Sequence, residues 1–307
     1  PMHPLYRYAY VTDTYEGLIV VDIETLSDGD PDNNFLTRGA TFNPDGVLNG
    51  AIGITIAGTY AYISCDRGLV VVSIDDPLHP KVVSEVGAPA LNKPRVVAVQ
   101  FRYAFVVDAE GLKVIEITFP ERPRVVAKAV VSLADAHDLY VARGYAYIAG
   151  GKQGLVIVDV EKPEEPKIDQ TFTADGQIDD ARSVRVGSTN ASLFGYVADG
   201  KNGLRVLQLT SPPTQPNYYG FNPKPVPQLI ATYKTHGPAI ALSKGLDRDR
   251  AVDESGNQVS VFGRLGSRPF NLEEQHRLYL KNGQLFTVTN EPPSPPKPFA
   301  RRKEEEK

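Results

Sequence analysis

One cysteine, Cys65, stands in 307 residues, so the chain has no internal disulfide, no thiolate cluster for zinc and no paired-cysteine attachment for haem. Neither charge sign dominates: 33 Lys and Arg against 37 Asp and Glu leave a net charge of −4, without the basic excess that nucleic acid asks of a partner. No apolar run approaches the ~20 residues that a membrane-crossing helix takes, so no transmembrane segment is expected in this chain. No stretch keeps a helical period, which argues against an alternating α/β plan. The patterns of a P-loop, a dinucleotide fingerprint, a nucleophile elbow and an ordered Ser-His-Asp set are also missing. Gly150-Gly151 sits between two strand patterns, with no helix after it to hold a phosphate. No leader-like segment is visible. The opening Pro1-Met2-His3 runs almost at once into a strand pattern, and the expectation is a mature or excised piece of a longer polypeptide.

What the chain does have is a phrase written five times: YAYVTDTYEGLIVVDI at 8–23, YAYISCDRGLVVVSI at 60–74, YAFVVDAEGLKVIEI at 103–117, YAYIAGGKQGLVIVDV at 145–160 and FGYVADGKNGLRVLQL at 194–209, with a worn sixth, RAVDESGNQVSVFG, at 250–263. Aromatic and β-branched residues alternate with period two on either side of a Gly-bearing turn, which is a β-hairpin. Another alternating run precedes most copies, at 52–57, 96–100, 138–143 and 183–187. A proline-punctuated run follows, at 76–83, 120–126 and 162–168; proline is confined to sheet edges and strand starts, so this fourth strand lies at an outer edge. Four-stranded units repeating every ~40–45 residues predict an all-β fold, a β-propeller. The reading expects six blades, with seven as the alternative. Residues 276–290, carrying an Asn-Gly turn, are expected to supply the innermost strand that the first blade lacks, so that N- and C-terminal strands pair and close the ring. The propeller then spans 1–290, interrupted by segments 24–49 and 211–228, and 291–307 is a proline-rich, then charged, tail.

The unit resembles the LVIVD repeat, named for the run that stands here as Leu155-Val156-Ile157-Val158-Asp159, with the final Asp also present at Asp22 and replaced at Glu116 and Gln208. The resemblance covers most of 8–263. It implies a bacterial or archaeal propeller, exported to the cell surface, the extracellular space or the periplasm, generally without an assigned activity, and it carries over hardly any catalytic residues.

Four sets of residues are functional candidates. Asp28, Asp30 and Asp32 alternate in a polar loop, a pattern that can converge on calcium, although Asn33 and Gly39 stand where an EF-hand has Gly and Glu; the competing reading is a solvated acidic turn. Arg95, His137 and Arg182, with His276, hold one position before the innermost strands and are expected to ring a channel mouth, either as an anion or catalytic site near Asp135, Asp138, Asp179 and Asp180 or as a salt-bridge network. Tyr218, Tyr219 and Phe221 lie in a segment with six prolines, 211–228, as candidates for contact with a partner or for capping their own barrel end. The turn residues Asp13, Asp66, Asp108, Asp199 and Asp253 are read as structural, because Asp bonds turn backbone. Cys65 is read as a small buried hydrophobe, since no base is identifiable beside it. The expectation is a non-enzymatic scaffold that binds other proteins of a surface or extracellular assembly and requires no cofactor. The alternatives are an enzyme at the channel mouth and a calcium-stabilised adhesion module.

Overall fold

The structure, a computed structural model, describes residues 7–26, 36–189, 192–216 and 222–243, with short stretches between 264 and 285. Nineteen of its strands form five antiparallel sheets. Blade 1 holds β1 (Tyr8–Asp13), β2 (Gly17–Asp22) and β3 (Thr37–Phe42). Blade 2 holds β4 (Gly53–Ala57), β5 (Tyr60–Cys65), β6 (Gly68–Ser73) and β7 (Lys81–Val86). Blade 3 holds β8 (Val96–Gln100), β9 (Tyr103–Asp108), β10 (Gly111–Glu116) and β11 (Arg124–Ser132). Blade 4 holds β12 (Asp138–Ala142), β13 (Tyr145–Ala149), β14 (Leu155–Asp159) and β15 (Lys167–Phe172). Blade 5 holds β16 (Ser183–Thr189), β17 (Ser192–Ala198), β18 (Leu204–Thr210) and β19 (Gln228–Tyr233). Strand order follows sequence order in every sheet, and the repeated hairpin is the central pair of each four-stranded one.

Apolar side chains on both faces of those central pairs explain their near-continuous burial. The core lies between blades rather than inside one. Tyr62, Leu69 and Val71 of blade 2 pack on Ala104, Val106 and Ile115 of blade 3. Phe105, Leu112 and Val114 of blade 3 pack on Ala146, Ile148 and Val156 of blade 4. Tyr147, Leu155 and Ile157 of blade 4 pack on Val184, Val197 and Leu207 of blade 5. Period-two alternation thus sends one face of each hairpin forward and the other back, and each fully buried aliphatic side chain contributes ~1.5–3 kcal/mol.

One feature differs from the expectation. The 24–49 segment is not all insertion, because Thr37–Phe42 within it is the outer strand of blade 1 and pairs with β2 from Leu18↔Phe42 to Asp22↔Thr37. The run TRGATF carries none of the prolines that mark other outer strands. The Asn-Gly turn does make a hairpin, β22 (Leu280–Lys281) with β23 (Gln284–Leu285), and Gly283 takes φ 76° there. Among the described residues this hairpin pairs with no other sheet. A second short ladder joins β20 (Arg264–Leu265) to β21 (Arg268–Pro269). The worn sixth copy at 250–263 lies outside the described residues.

Each blade has an upper end, where the Gly-bearing turn joins its central strands, and a lower end with the other two turns. At Gly111 (φ 135°) the upper turn runs so close to the outer strand that a Cβ would collide with the carbonyl of Val131, so only glycine fits.

Candidate functional site

The channel-mouth position is set by a hydrogen bond repeated from blade to blade. The residue before each innermost strand donates its N–H to the carbonyl at or near the end of the second strand: Ile52 to Ser64 (3.0 Å), Arg95 to Val107 (2.8 Å), His137 to Ala149 (2.9 Å) and Arg182 to Ala198 (2.7 Å). Arg95, His137 and Arg182 therefore share one register. Ile52, 56% exposed, shares it too, with an uncharged side chain that does not mark it as a polar site in the sequence. His276 lies outside the described residues.

The three polar side chains meet one another or the next blade. Arg95 donates from Nη1 to the carbonyl of Ala136, which leads into blade 4. His137 Nε2 is 2.9 Å from Asp135 Oδ1 and 3.2 Å from Arg182 Nη1. One ring nitrogen serves one of these at a time: protonated it donates to Asp135, and bare it accepts from Arg182. Arg182 is held from its other side by Asp180 Oδ1, at 2.6 Å from Nε and 2.5 Å from Nη2. The result is an alternating row, Asp135, His137, Arg182, Asp180, along the seam between blades 4 and 5.

Below that row Asp138 is buried and acts as a second clip. Its Oδ2 accepts from Ser183 Oγ (2.5 Å), Val184 N–H (3.1 Å) and Arg185 Nη1 (2.6 Å), all on β16 of the neighbouring blade. Its Oδ1 accepts from Leu139 N–H at 2.9 Å. A carboxylate satisfied this fully offers little to a substrate, and it joins two blades at their innermost strands.

The turn aspartates fall into two kinds. Asp13 is partly exposed and accepts the N–H groups of Tyr15 and Glu16, each at 2.8 Å; those bonds hold its carboxyl below the usual range. Asp108 and Asp199 are fully buried. Asp108 accepts from Glu110 N–H (2.8 Å) and Asn92 N–H (2.8 Å), and Lys113 Nζ lies 2.8 Å away. Asp199 accepts from Asp180 N–H (2.8 Å) and Asn202 Nδ2 (2.9 Å), with Arg205 Nε at 3.5 Å; burial pushes its carboxyl up. Lys113 and Arg205 stand two places after the turn glycine, where Ile19, Val70 and Val156 stand in the other copies. A buried turn carboxylate thus goes with a cation on the adjacent strand, a signal that the sequence itself carries in GLKV and GLRV.

Cys65 is buried, donates weakly to the Val47 carbonyl at 3.5 Å, and burial pushes its thiol up, away from the reactive thiolate. Asp28, Asp30 and Asp32, and Tyr218, Tyr219 and Phe221, lie outside the described residues. Among the described residues no cluster of three metal-ligating side chains occurs, and no helix is long and apolar enough to cross a membrane.

The LVIVD repeat model matches residues 7–29, 50–87, 134–173 and 191–220. Comparison with curated protein sequences finds no match. Among solved structures, a functionally unknown protein from Desulfotomaculum acetoxidans DSM 771 superposes with TM-score 0.54 at 11% identity, over 84% of this chain and 83% of that one. The Cps50 (Swd1) β-propeller domain of Myceliophteria thermophila gives TM-score 0.51 at 12% identity, over 75% of this chain and 69% of its own. The computationally designed Ika8 protein gives 0.46 at 11% identity, over 66% of this chain and 55% of its own, so the chain spans about half of that protein's length. At these identities the likeness is one of fold. With its repeat matched in four stretches and the hairpin built in five sheets, the chain carries LVIVD repeats and has a β-propeller fold.

Proposed function

We propose that this chain is a non-enzymatic propeller scaffold, exported to the cell surface or an extracellular assembly, where it binds other proteins. The observation that carries this reading is the fate of the polar groups at the channel mouth. Arg95, His137, Arg182, Asp135, Asp138 and Asp180 each bond a neighbouring blade or one another. An open groove of about 540 Å³ lies elsewhere, at the perimeter between β11 and residues 164–167. The exported location rests on the family resemblance. The fold needs no metal in this reading, so a chelator is expected to leave the melting temperature unchanged; a drop would restore the calcium reading of Asp28, Asp30 and Asp32.

The ring of this scaffold has six blades in this reading. Gly151 in the upper turn of blade 4 exchanges two backbone bonds, each 3.0 Å, with Ala181, which leads into blade 5. Gly200 in the upper turn of blade 5 makes the same exchange with Ala239, at 3.0 and 2.8 Å. Ala239 therefore stands where a next blade begins. Tyr196 and Val206 on the far face of blade 5 are also incompletely covered, Tyr196 being 38% exposed, whereas their counterparts Tyr147 and Ile157 are 1% and 0% exposed.

The function is tested by tethering the chain through a C-terminal tag and cross-linking it in the envelope fraction of its own organism, with partners identified by mass spectrometry. A reproducible protein partner is expected; turnover of a small molecule that depends on His137 and Arg182 would replace the scaffold with the enzyme reading.

A further inference from the structure

The LVIVD model passes from residue 87 to residue 134, leaving out blade 3, although that blade has all four strands. Blade 3 departs from its neighbours at the lower end. In its innermost turn Phe101 is 93% exposed at φ 54°, in the left-handed position that Gly58 fills in blade 2 (φ 60°) and the partly covered Arg143 in blade 4 (φ 56°). A bare aromatic ring at that position sets blade 3 apart. Phe119, 58% exposed, stands at the same sheet end, two residues beyond Ile117, whose N–H bonds the carbonyl of Arg102 at 2.8 Å. The guanidinium of Arg122 lies 5.5 Å from the Phe119 ring centroid. Directly after this loop β11 loses its regular pairing: Lys113 faces Val130 and Ile115 faces Val125, so four residues of β11 oppose Val114 alone, where other blades carry a bulge of one extra residue. The perimeter groove opens at this irregularity, between residues 124–128 and 164–167.

Charge indicates the occupant. Glu121 is engaged by the Tyr60 hydroxyl, Glu164 by the Tyr103 hydroxyl and Arg102, and Glu116 by Arg124. Among the described residues Arg122, Lys128 and Lys167 make no ion pair; around the corner five cations, Arg102, Arg122, Arg124, Lys128 and Lys167, stand with four carboxylates, Glu116, Glu121, Glu164 and Glu165, a cationic surplus of one beside two bare rings. We propose that the lower corner of blade 3 docks an extended acidic segment of a partner protein, with an apolar side chain of that segment seated on Phe101 and Phe119. Exposed aromatics flanked by guanidinium groups are the usual makings of an interface hot spot. The proposal rests on the scaffold reading and names its surface.

The probe is a random dodecapeptide library displayed on phage, panned on the full chain. Selected peptides are expected to carry Asp or Glu around Leu or Phe, to bind at least tenfold more weakly to Phe101→Gly/Phe119→Ser and to Lys128→Glu/Lys167→Glu, and to weaken with salt. The double ring variant is expected to keep its melting temperature, since Phe101 is bare and Phe119 is more than half exposed. If it does not, Phe101→Gly alone, which suits the left-handed turn, carries the comparison. Selected peptides that bind these variants as well as wild type overturn the docking site and leave the scaffold standing. A library that yields no binder at all counts against both.

Discussion

Replacing Asp138 with alanine tests whether the channel-mouth polar groups fasten blades. The substitution removes one acceptor from Ser183 Oγ, Val184 N–H and Arg185 Nη1 together. Ser183 is 3% exposed and Val184 is fully buried, so neither donor regains water, at ~1–3 kcal/mol for each unsatisfied group. Arg185 keeps 28% of its side chain exposed and recovers part of its hydration. Losing one partner of a buried pair typically costs about 3–5 kcal/mol, and this site falls in that range. Asp135→Ala is the control: Asp135 is 50% exposed and among the described residues pairs with His137 alone, so its loss costs about 1 kcal/mol or less. The assay is equilibrium urea unfolding at neutral pH followed by circular dichroism, with m compared between variants, because propeller blades can uncouple and lower it. A cost for Asp138→Ala below about 1 kcal/mol, or equal to that of Asp135→Ala, would refute the fastening argument.

Buried titratable groups carry two further predictions. Lys113→Ala strands the buried Asp108 carboxylate and is expected to cost about 3 kcal/mol in urea unfolding, with much of the loss recovered by adding Asp108→Asn, which removes the unpaired charge; no recovery would mean that Lys113 acts through packing alone. Burial pushes the Tyr62 phenol up to about 12. The unfolded chain then ionises near 10 while the folded chain stays neutral, so stability falls from pH 10 upward, by about 2 kcal/mol at pH 12. Tyr62→Phe is expected to be less sensitive over that window in alkaline melts, and an unchanged pH dependence would count against it.

The blades were legible because their signals are local. Alternation sets which face of a strand is apolar, and Gly17, Gly68, Gly111, Gly154 and Gly203 mark the turns. The runs upstream of the hairpins at 96–100 and 138–143 correspond to β8 and β12 to within a residue. Thr37–Phe42 was not legible as a strand: its burial alternates only weakly and no proline announces it. The shared rim position of Arg95, His137 and Arg182 is legible in the repeat spacing, but the contact of His137 with Arg182 depends on the angle between blades 4 and 5, which no local pattern encodes. The left-handed conformation of Phe101 was equally hidden, since a hairpin turn of Gln, Phe and Arg gives no sign of a positive φ.

The most direct test of the central claim, that the rim of the channel is structural and not a ligand site, is the melting temperature of wild type and of Arg95→Ala/His137→Ala/Arg182→Ala in titrations with phosphate, citrate and zinc chloride. A ligand at a hundred times its Kd adds about 2.7 kcal/mol, enough for a shift of several degrees. The account predicts a lower melting point for the triple variant and the same flat response to all three solutes in both proteins. A rise in wild type that vanishes in the triple variant would contradict it.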